Sequence, residues 1–165
     1  LFHAADPDIV IGFEIQTASL GYLLDRAAVL SLPLHDALGR ARSFARKETG
    51  PGYEYAKSHQ SGIFLVGRIV LNVWRVLVSE VKTNVYSFEN MAHEILQTRY
   101  PHFSQEVLNI WWLSDRRSAC DVTFPFRYRV LRHLLTRAVC VHDMLQALDV
   151  VGRTSELARV FGIDF

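Results

Sequence analysis

Asp6-Pro7-Asp8-Ile9-Val10-Ile11-Gly12-Phe13-Glu14-Ile15-Gln16 is the stretch on which the reading of this chain turns. Asp-Pro-Asp marks a turn, and the short apolar, β-branched run behind it has the form of a buried strand. Directly afterwards Leu20, Leu23, Leu24, Ala27 and Ala28 recur at the i, i+3, i+4, i+7, i+8 spacing of one helix face. A buried strand leading into a helix is the unit of an α/β sheet.

Further along, residues 68–77 are rich in Ile, Val, Leu and Trp. Ile69, Leu71 and Val73 would lie on one pleat face, with Val70, Trp74 and Val76 on the other. Both faces are apolar, so a central strand is expected. Between the two strands, Arg40, Arg42, Arg46 and Lys47 precede Thr49-Gly50-Pro51-Gly52. That pattern predicts a helix with a basic side giving way to a flexible excursion around 38–61.

Beyond residue 84 the periodicity is helical. Ser87 is placed to cap a helix carrying Phe88, Met91, Ala92, Ile95 and Leu96 on one face, stopped by Tyr100-Pro101. Glu89 sits favourably at its positive end. Ser104 caps a second helix with Val107, Leu108, Trp111 and Trp112 inward. The longest element runs over residues 126–150, with Leu131, Leu134, Ala138, Val141, Leu145 and Leu148 as its apolar stripe. Gly152 is expected to end it and Thr154 to cap the next helix.

Composition narrows the function classes. The chain has 165 residues, half of them apolar, enough for one globular domain with a proper core. Its 18 Lys and Arg against 17 Asp and Glu leave +1, which is no electrostatic footprint of a stand-alone nucleic-acid binder. Cys120 and Cys140 make neither a disulfide framework nor a zinc spacing, so a reducing compartment is the expectation. Residues 62–81 are apolar but broken by Arg68, Asn72 and Arg75, and read as strands rather than a membrane span. The absence of Met at Leu1 and the lack of terminal tails read as a piece of a longer protein.

No glycine-rich phosphate cradle and no nucleophile elbow is present. Phosphodiester hydrolysis with two metals needs several converging carboxylates. At the end of the first strand only Glu14 is acidic. On chemistry alone His133 and Arg137, four apart on the long helix, read as flanking, solvated side chains.

The run from Asp6 to Gln16, followed by Tyr22-Leu23-Leu24-Asp25-Arg26-Ala27, resembles the second exonuclease motif of family-B DNA polymerases. Gly67-Arg68-Ile69-Val70-Leu71 is similar to the family's G-R-apolar strand, with Asn72 where Asp is common. Proofreading members read G-Y-N-x-x-x-F-D; here Glu14 stands for the Asn and Ser19 for the metal-binding Asp. Counting back from Thr154-Ser155-Glu156 places His133 at the Tyr and Arg137 at the Asp of the third motif, Y-x-x-x-D.

The resemblance implies an α/β, ribonuclease H-like exonuclease fold as a single partial domain over 1–165. It also implies a translesion branch without proofreading, whose exonuclease-like segment holds no metal and has no catalytic residue. Mg2+ would act at a polymerase site outside the segment, with an iron–sulfur cluster elsewhere in the parent protein. DNA as primer-template and accessory subunits of the polymerase complex are the implied partners, with no membrane, and the nucleus the implied location. Arg116, Arg117, Arg127, Arg129 and Arg132 are the candidate DNA contacts. The rival readings are an active 3′ to 5′ exonuclease using Glu14 with a displaced carboxylate such as Asp143, and a free-standing interaction domain of the same fold.

Overall fold

In the computed structural model the apolar run after Asp6-Pro7-Asp8 forms a strand, β1 (Ile9–Gly12), which pairs in parallel with β2 (Ile69–Asn72). The register is Ile9 to Ile69, Val10 to Val70, Ile11 to Leu71 and Gly12 to Asn72. Residues 2–41, 61–113 and 124–163 are described, without the side chains of 124 and 125. Residues 42–60, most of the expected excursion, therefore lie outside the described residues, as do Arg116, Arg117 and Cys120. Two compact units are present, Leu1–Asn84 and Val85–Phe165.

In the first unit α1 (Phe2–Ala5) precedes β1, and α2 (Leu20–Val29) and α3 (Leu34–Leu38) follow it. Gly21, Leu24 and Ala27 are the buried face of α2, whereas Leu23 is exposed. Gly21 is dictated by a close approach: a Cβ there would lie 1.7 Å from the Gln16 carbonyl oxygen. Arg40 follows α3 rather than forming a basic helix face. Its guanidinium reaches back to Asp6 at 3.0 Å and Asp8 at 2.5 Å, tying the turn before β1 to the loop after α3.

The expected long strand over 68–77 is corrected. β2 ends at Asn72, and Val73–Glu80 is a helix, α4. Val73 and Leu77, one helical turn apart, are both completely buried, while Ser79 and Glu80 face solvent. Burial at an i, i+4 pair overrides the β preference of the Val and Trp residues. The strands themselves are half-buried rather than enclosed: every residue of β1 keeps some exposure, and Ile69 is exposed. Among the described residues the sheet has two strands.

In the second unit α5 (Phe88–Leu96) starts where Ser87 Oγ accepts the Asn90 N–H at 3.4 Å. It stops at Gln97 in the left-handed region, ahead of Tyr100-Pro101. α6 (Gln105–Leu113) starts after Ser104, whose Oγ accepts the Val107 N–H at 3.5 Å. α7 (Phe124–Ala147) packs against both, and α8 (Val150–Phe161) packs on α7. Asp149, in the left-handed region, makes the break between α7 and α8. Gly152 and Thr154 therefore lie inside α8 instead of ending and capping helices, and Thr154 Oγ1 donates to the Val150 carbonyl at 2.7 Å.

The stripe expected on α7 is half right. Val141 and Leu145 are buried, but Leu131 and Leu134 are 54% and 53% exposed. The buried face instead runs through Val130, Cys140, Val141, Met144 and Leu145, with His133 and Arg137 half-buried along it. Trp112, expected inside, is exposed, whereas Trp111 packs its ring 5.1 Å from that of Phe103. Among the described residues no helix is long and apolar enough to cross a membrane.

Candidate functional site

Two places carry the residues singled out by sequence, one in each unit. In the first, β1 and β2 end together, and ligand sites of open parallel sheets form at that end. A cleft of about 150 Å³ opens there, lined by Glu14, Gln16, Thr17, Asn72, Trp74 and Arg75. The Trp74 N–H donates to the Phe13 carbonyl at 2.9 Å, joining the start of α4 to the end of β1. Arg75 Nη2 donates to Gln16 Oε1 at 2.9 Å. Glu14 is exposed at the cleft, and Ser19 is exposed at the start of α2 without a capping hydrogen bond. Asn72 is 93% buried on the complement of its 7% exposure, and its Oδ1 has no hydrogen-bond partner.

In the second unit the structure brings His133 and Arg137 together on the packed face of α7, correcting their placement on a solvated flank. Arg137 Nη1 donates to Glu89 Oε1 at 2.8 Å, and its guanidinium carbon lies 3.8 Å from the centre of the Phe88 ring. The pair thus combines a charge-assisted hydrogen bond with a cation–π contact. His102 Nδ1 is 3.1 Å from the same Glu89 oxygen. His133 meets the Phe103 ring edge-on at 5.0 Å. Glu89 and His102 were missed as partners. The available signal was Glu89 in the first turn of a helix capped by Ser87, facing a basic residue on an equally periodic stripe of α7.

The chemistry of this cluster follows from its surroundings. Burial works to raise the Glu89 carboxyl, but its own backbone N–H, His102 and Arg137 outweigh that and hold it below its usual 4.5. The His133 imidazole is held below 6.5 by burial first and by the Arg137 charge second, with Glu89 opposing. Both shifts act in one direction on acidification. Below about pH 6.5 the unfolded chain gains a proton at His133 that the folded one resists, and stability falls. Below about pH 4.5 the Glu89 contribution is lost as well, as pH drops through its depressed folded value. The melting temperature is therefore expected to fall between pH 7 and pH 5. His133→Phe should flatten that part of the curve, and an unchanged slope in this variant would refute the assignment.

A divalent pair needs several carboxylates and no competing cation. Of Glu14, Ser19, His133 and Arg137 only Glu14 carries a carboxylate, and a guanidinium that keeps its proton occupies the Arg137 position. This donor set does not fit such a pair. Among the described residues no three His, Cys, Asp or Glu side chains converge as metal ligands. Asp143 Oδ1 lies 3.4 Å from His142 Nδ1, and Asp143 is half-buried on α7. Cys140 is fully buried, and burial pushes its thiol up, which suits a core residue rather than a nucleophile. Of the DNA-contact candidates, Arg127 lies over the Trp112 ring and Arg129 over that of Phe126, and Arg132 is exposed.

Comparison with known proteins adds a lineage to this geometry. The family described as DNA polymerase family B, exonuclease domain, matches residues 1–91. The chain is similar to the DNA polymerase zeta catalytic subunit of Homo sapiens, 40% identical over 162 residues, and to that of Mus musculus, 39% identical over 162. In both cases 97% of this chain and 5% of the relative is covered. It is likewise similar to the DNA polymerase zeta catalytic subunit of Arabidopsis thaliana, 33% identical over 186 residues, with 97% of this chain and 10% of the relative covered. The chain thus spans from 5% to 10% of the length of these relatives.

Proposed function

The chain belongs to the exonuclease domains of family-B DNA polymerases, and from that premise we propose that it is the non-catalytic exonuclease-like part of a translesion polymerase of the zeta type. One observation carries the reading: Arg137, at the third-motif aspartate position, is engaged by Glu89 at 2.8 Å and stacked on Phe88. A cation integrated into the packing of α5 and α7 is poorly placed to share its site with a catalytic metal. Ser19, without a carboxylate at the second-motif position, supports the same conclusion.

On this reading the segment has a ribonuclease H-like fold and acts as a scaffold with DNA contact. An enzyme that extends primers past damaged template bases would be hindered by a proofreader that removes those ends. Polymerase chemistry with Mg2+, an iron–sulfur cluster, accessory subunits and a nuclear location belong to the larger protein in this proposal.

The test is a 5′-labelled single-stranded oligonucleotide incubated with the chain, and with the full-length polypeptide containing it, in Mg2+ or Mn2+. No shortening from the 3′ end is expected, and Glu14→Gln and Ser19→Ala should change nothing. A metal-dependent ladder that disappears in Glu14→Gln would establish the active-exonuclease reading instead.

A further inference from the structure

Residues 124–142 of α7 contain Arg127, Arg129, Arg132 and Arg137 and no Asp or Glu. Arg137 is engaged with Glu89, and Arg127 and Arg129 each lie over an exposed aromatic ring. The Arg127 guanidinium carbon is 5.3 Å from the centre of the Trp112 ring, and that of Arg129 is 5.7 Å from the centre of Phe126. Trp112 is 44% and Tyr128 59% exposed. Arg132, also exposed, follows Tyr128 by four residues and so lies on the same side of the helix.

At roughly 100° per residue, Arg127 with Trp112 occupies one flank of α7, and Tyr128, Arg129 and Arg132 continue around the helix. Guanidinium groups laid on ring faces are partly ordered before a ligand arrives, which lowers the entropy lost on binding. An acidic protein would be served by the arginines without needing accessible ring faces. Duplex DNA has the phosphates, but its bases are stacked inside. Single-stranded nucleic acid offers both phosphates and free base faces.

We propose that the N-terminal half of α7, with Trp112 of α6, is a platform for single-stranded nucleic acid. Arg129 and Arg132 meet phosphates, and Tyr128 and Trp112 stack on bases. The inference rests on the DNA-contact part of the function proposed above and specifies the surface and the strand state.

Fluorescence anisotropy with labelled oligothymidylate, compared with its duplex with oligoadenylate, tests it on the whole chain. The single strand is expected to bind more tightly than the duplex. Tyr128→Ala should weaken single-strand binding by about 5- to 150-fold while leaving its salt dependence unchanged. Tyr128→Phe, which keeps the ring, should bind normally and controls for folding. Arg129→Gln and Arg132→Gln should each reduce the slope of log K against log salt by about 0.7.

Equal binding of duplex, no binding of either form, or indifference to Tyr128→Ala would overturn the platform. Binding of oligoglutamate in place of oligothymidylate would overturn it in favour of a protein partner. A denaturing gel of the same oligonucleotide with Mg2+ reads the inactive-exonuclease proposal separately. Shortening there counts against that proposal alone, and absent binding without shortening counts against the platform alone.

Discussion

Arg137→Asp, which sets a carboxylate on α7 at the position proposed for the third-motif Asp, is expected to destabilise the Val85–Phe165 unit by about 2–3 kcal/mol and to produce no metal-dependent nuclease. The substitution removes the hydrogen bond to Glu89 and the contact with the Phe88 ring. It also sets a second carboxylate near one that is only 23% exposed. Like charges in a partly desolvated site repel more strongly than in water. Arg137→Met separates the two causes: it loses the ion pair without adding the repulsion, and should fall between wild type and Arg137→Asp. Adding Glu89→Gln to Arg137→Asp should recover part of the loss, because the repulsion is gone. Urea denaturation followed by circular dichroism, with hydrogen exchange in α5 and α7, reads the effect. If Arg137→Asp were as stable as wild type, or became a Mg2+-dependent exonuclease, the structural role given to Arg137 would be wrong.

The second large effect is expected at Arg68, whose side chain is 1% exposed in the first unit. It donates to the Leu38 carbonyl at 2.9 Å and to the Pro7 carbonyl, pairs with Asp6 Oδ1 at 2.9 Å, and lies 5.0 Å over the Phe2 ring. One guanidinium thereby joins α1, the turn before β1 and the end of α3 to the start of β2. Arg68→Ala leaves carbonyls without their donor and a void where the side chain packed, for a loss of about 2–4 kcal/mol. Asp6 retains Arg40 as a partner, which keeps the loss below that of an orphaned buried charge. Arg68→Lys should recover only a fraction, since an ammonium cannot reproduce the fork that reaches both carbonyls. Loss of hydrogen-exchange protection across β1 and β2 is the expected signature. A change under about 0.5 kcal/mol in Arg68→Ala would show that the network is dispensable.

Gly67, next to Arg68, adds a backbone reason for the Gly-Arg pair. Its φ of +76° is one that L side chains rarely adopt, and a Cβ would lie 3.0 Å from that of Arg40. The Arg40 side chain in turn donates to the Gly67 carbonyl at 3.1 Å and to the Asp6 carboxylate. Hydrogen bonding from Arg40 is the main reason the Asp6 carboxyl is held below its usual range, with burial opposing and Arg68 assisting. Asp6-Pro7-Asp8 therefore serves as an anchorage of the first strand as well as a turn.

Local pattern was enough for β1, for α2, for the Ser87 and Ser104 helix starts and for most of the length of α7. In each, a turn, a cap or a regular apolar period lies within a few residues of the element it forms. Pattern was not enough for residues 73–80, where β-branched and aromatic residues suit a strand but Val73 and Leu77 are buried one helical turn apart. Nor was it enough for α7, because the stripe through Leu131 and Leu134 and the stripe through Val130, His133 and Arg137 have the same period. A helix period says that one face is packed, and the partner helices decide which.

By itself the sequence determined the lineage and the identity of the groups that the motif resemblance singles out, Glu14, Ser19, His133 and Arg137. Residue identity requires no coordinates. Only the tertiary structure decided that Arg137 lies in the packed seam of α7, paired with Glu89 from 48 residues earlier in the chain. The strength and geometry of such a contact depend on distance and burial across helices, and neither quantity is encoded in local spacing.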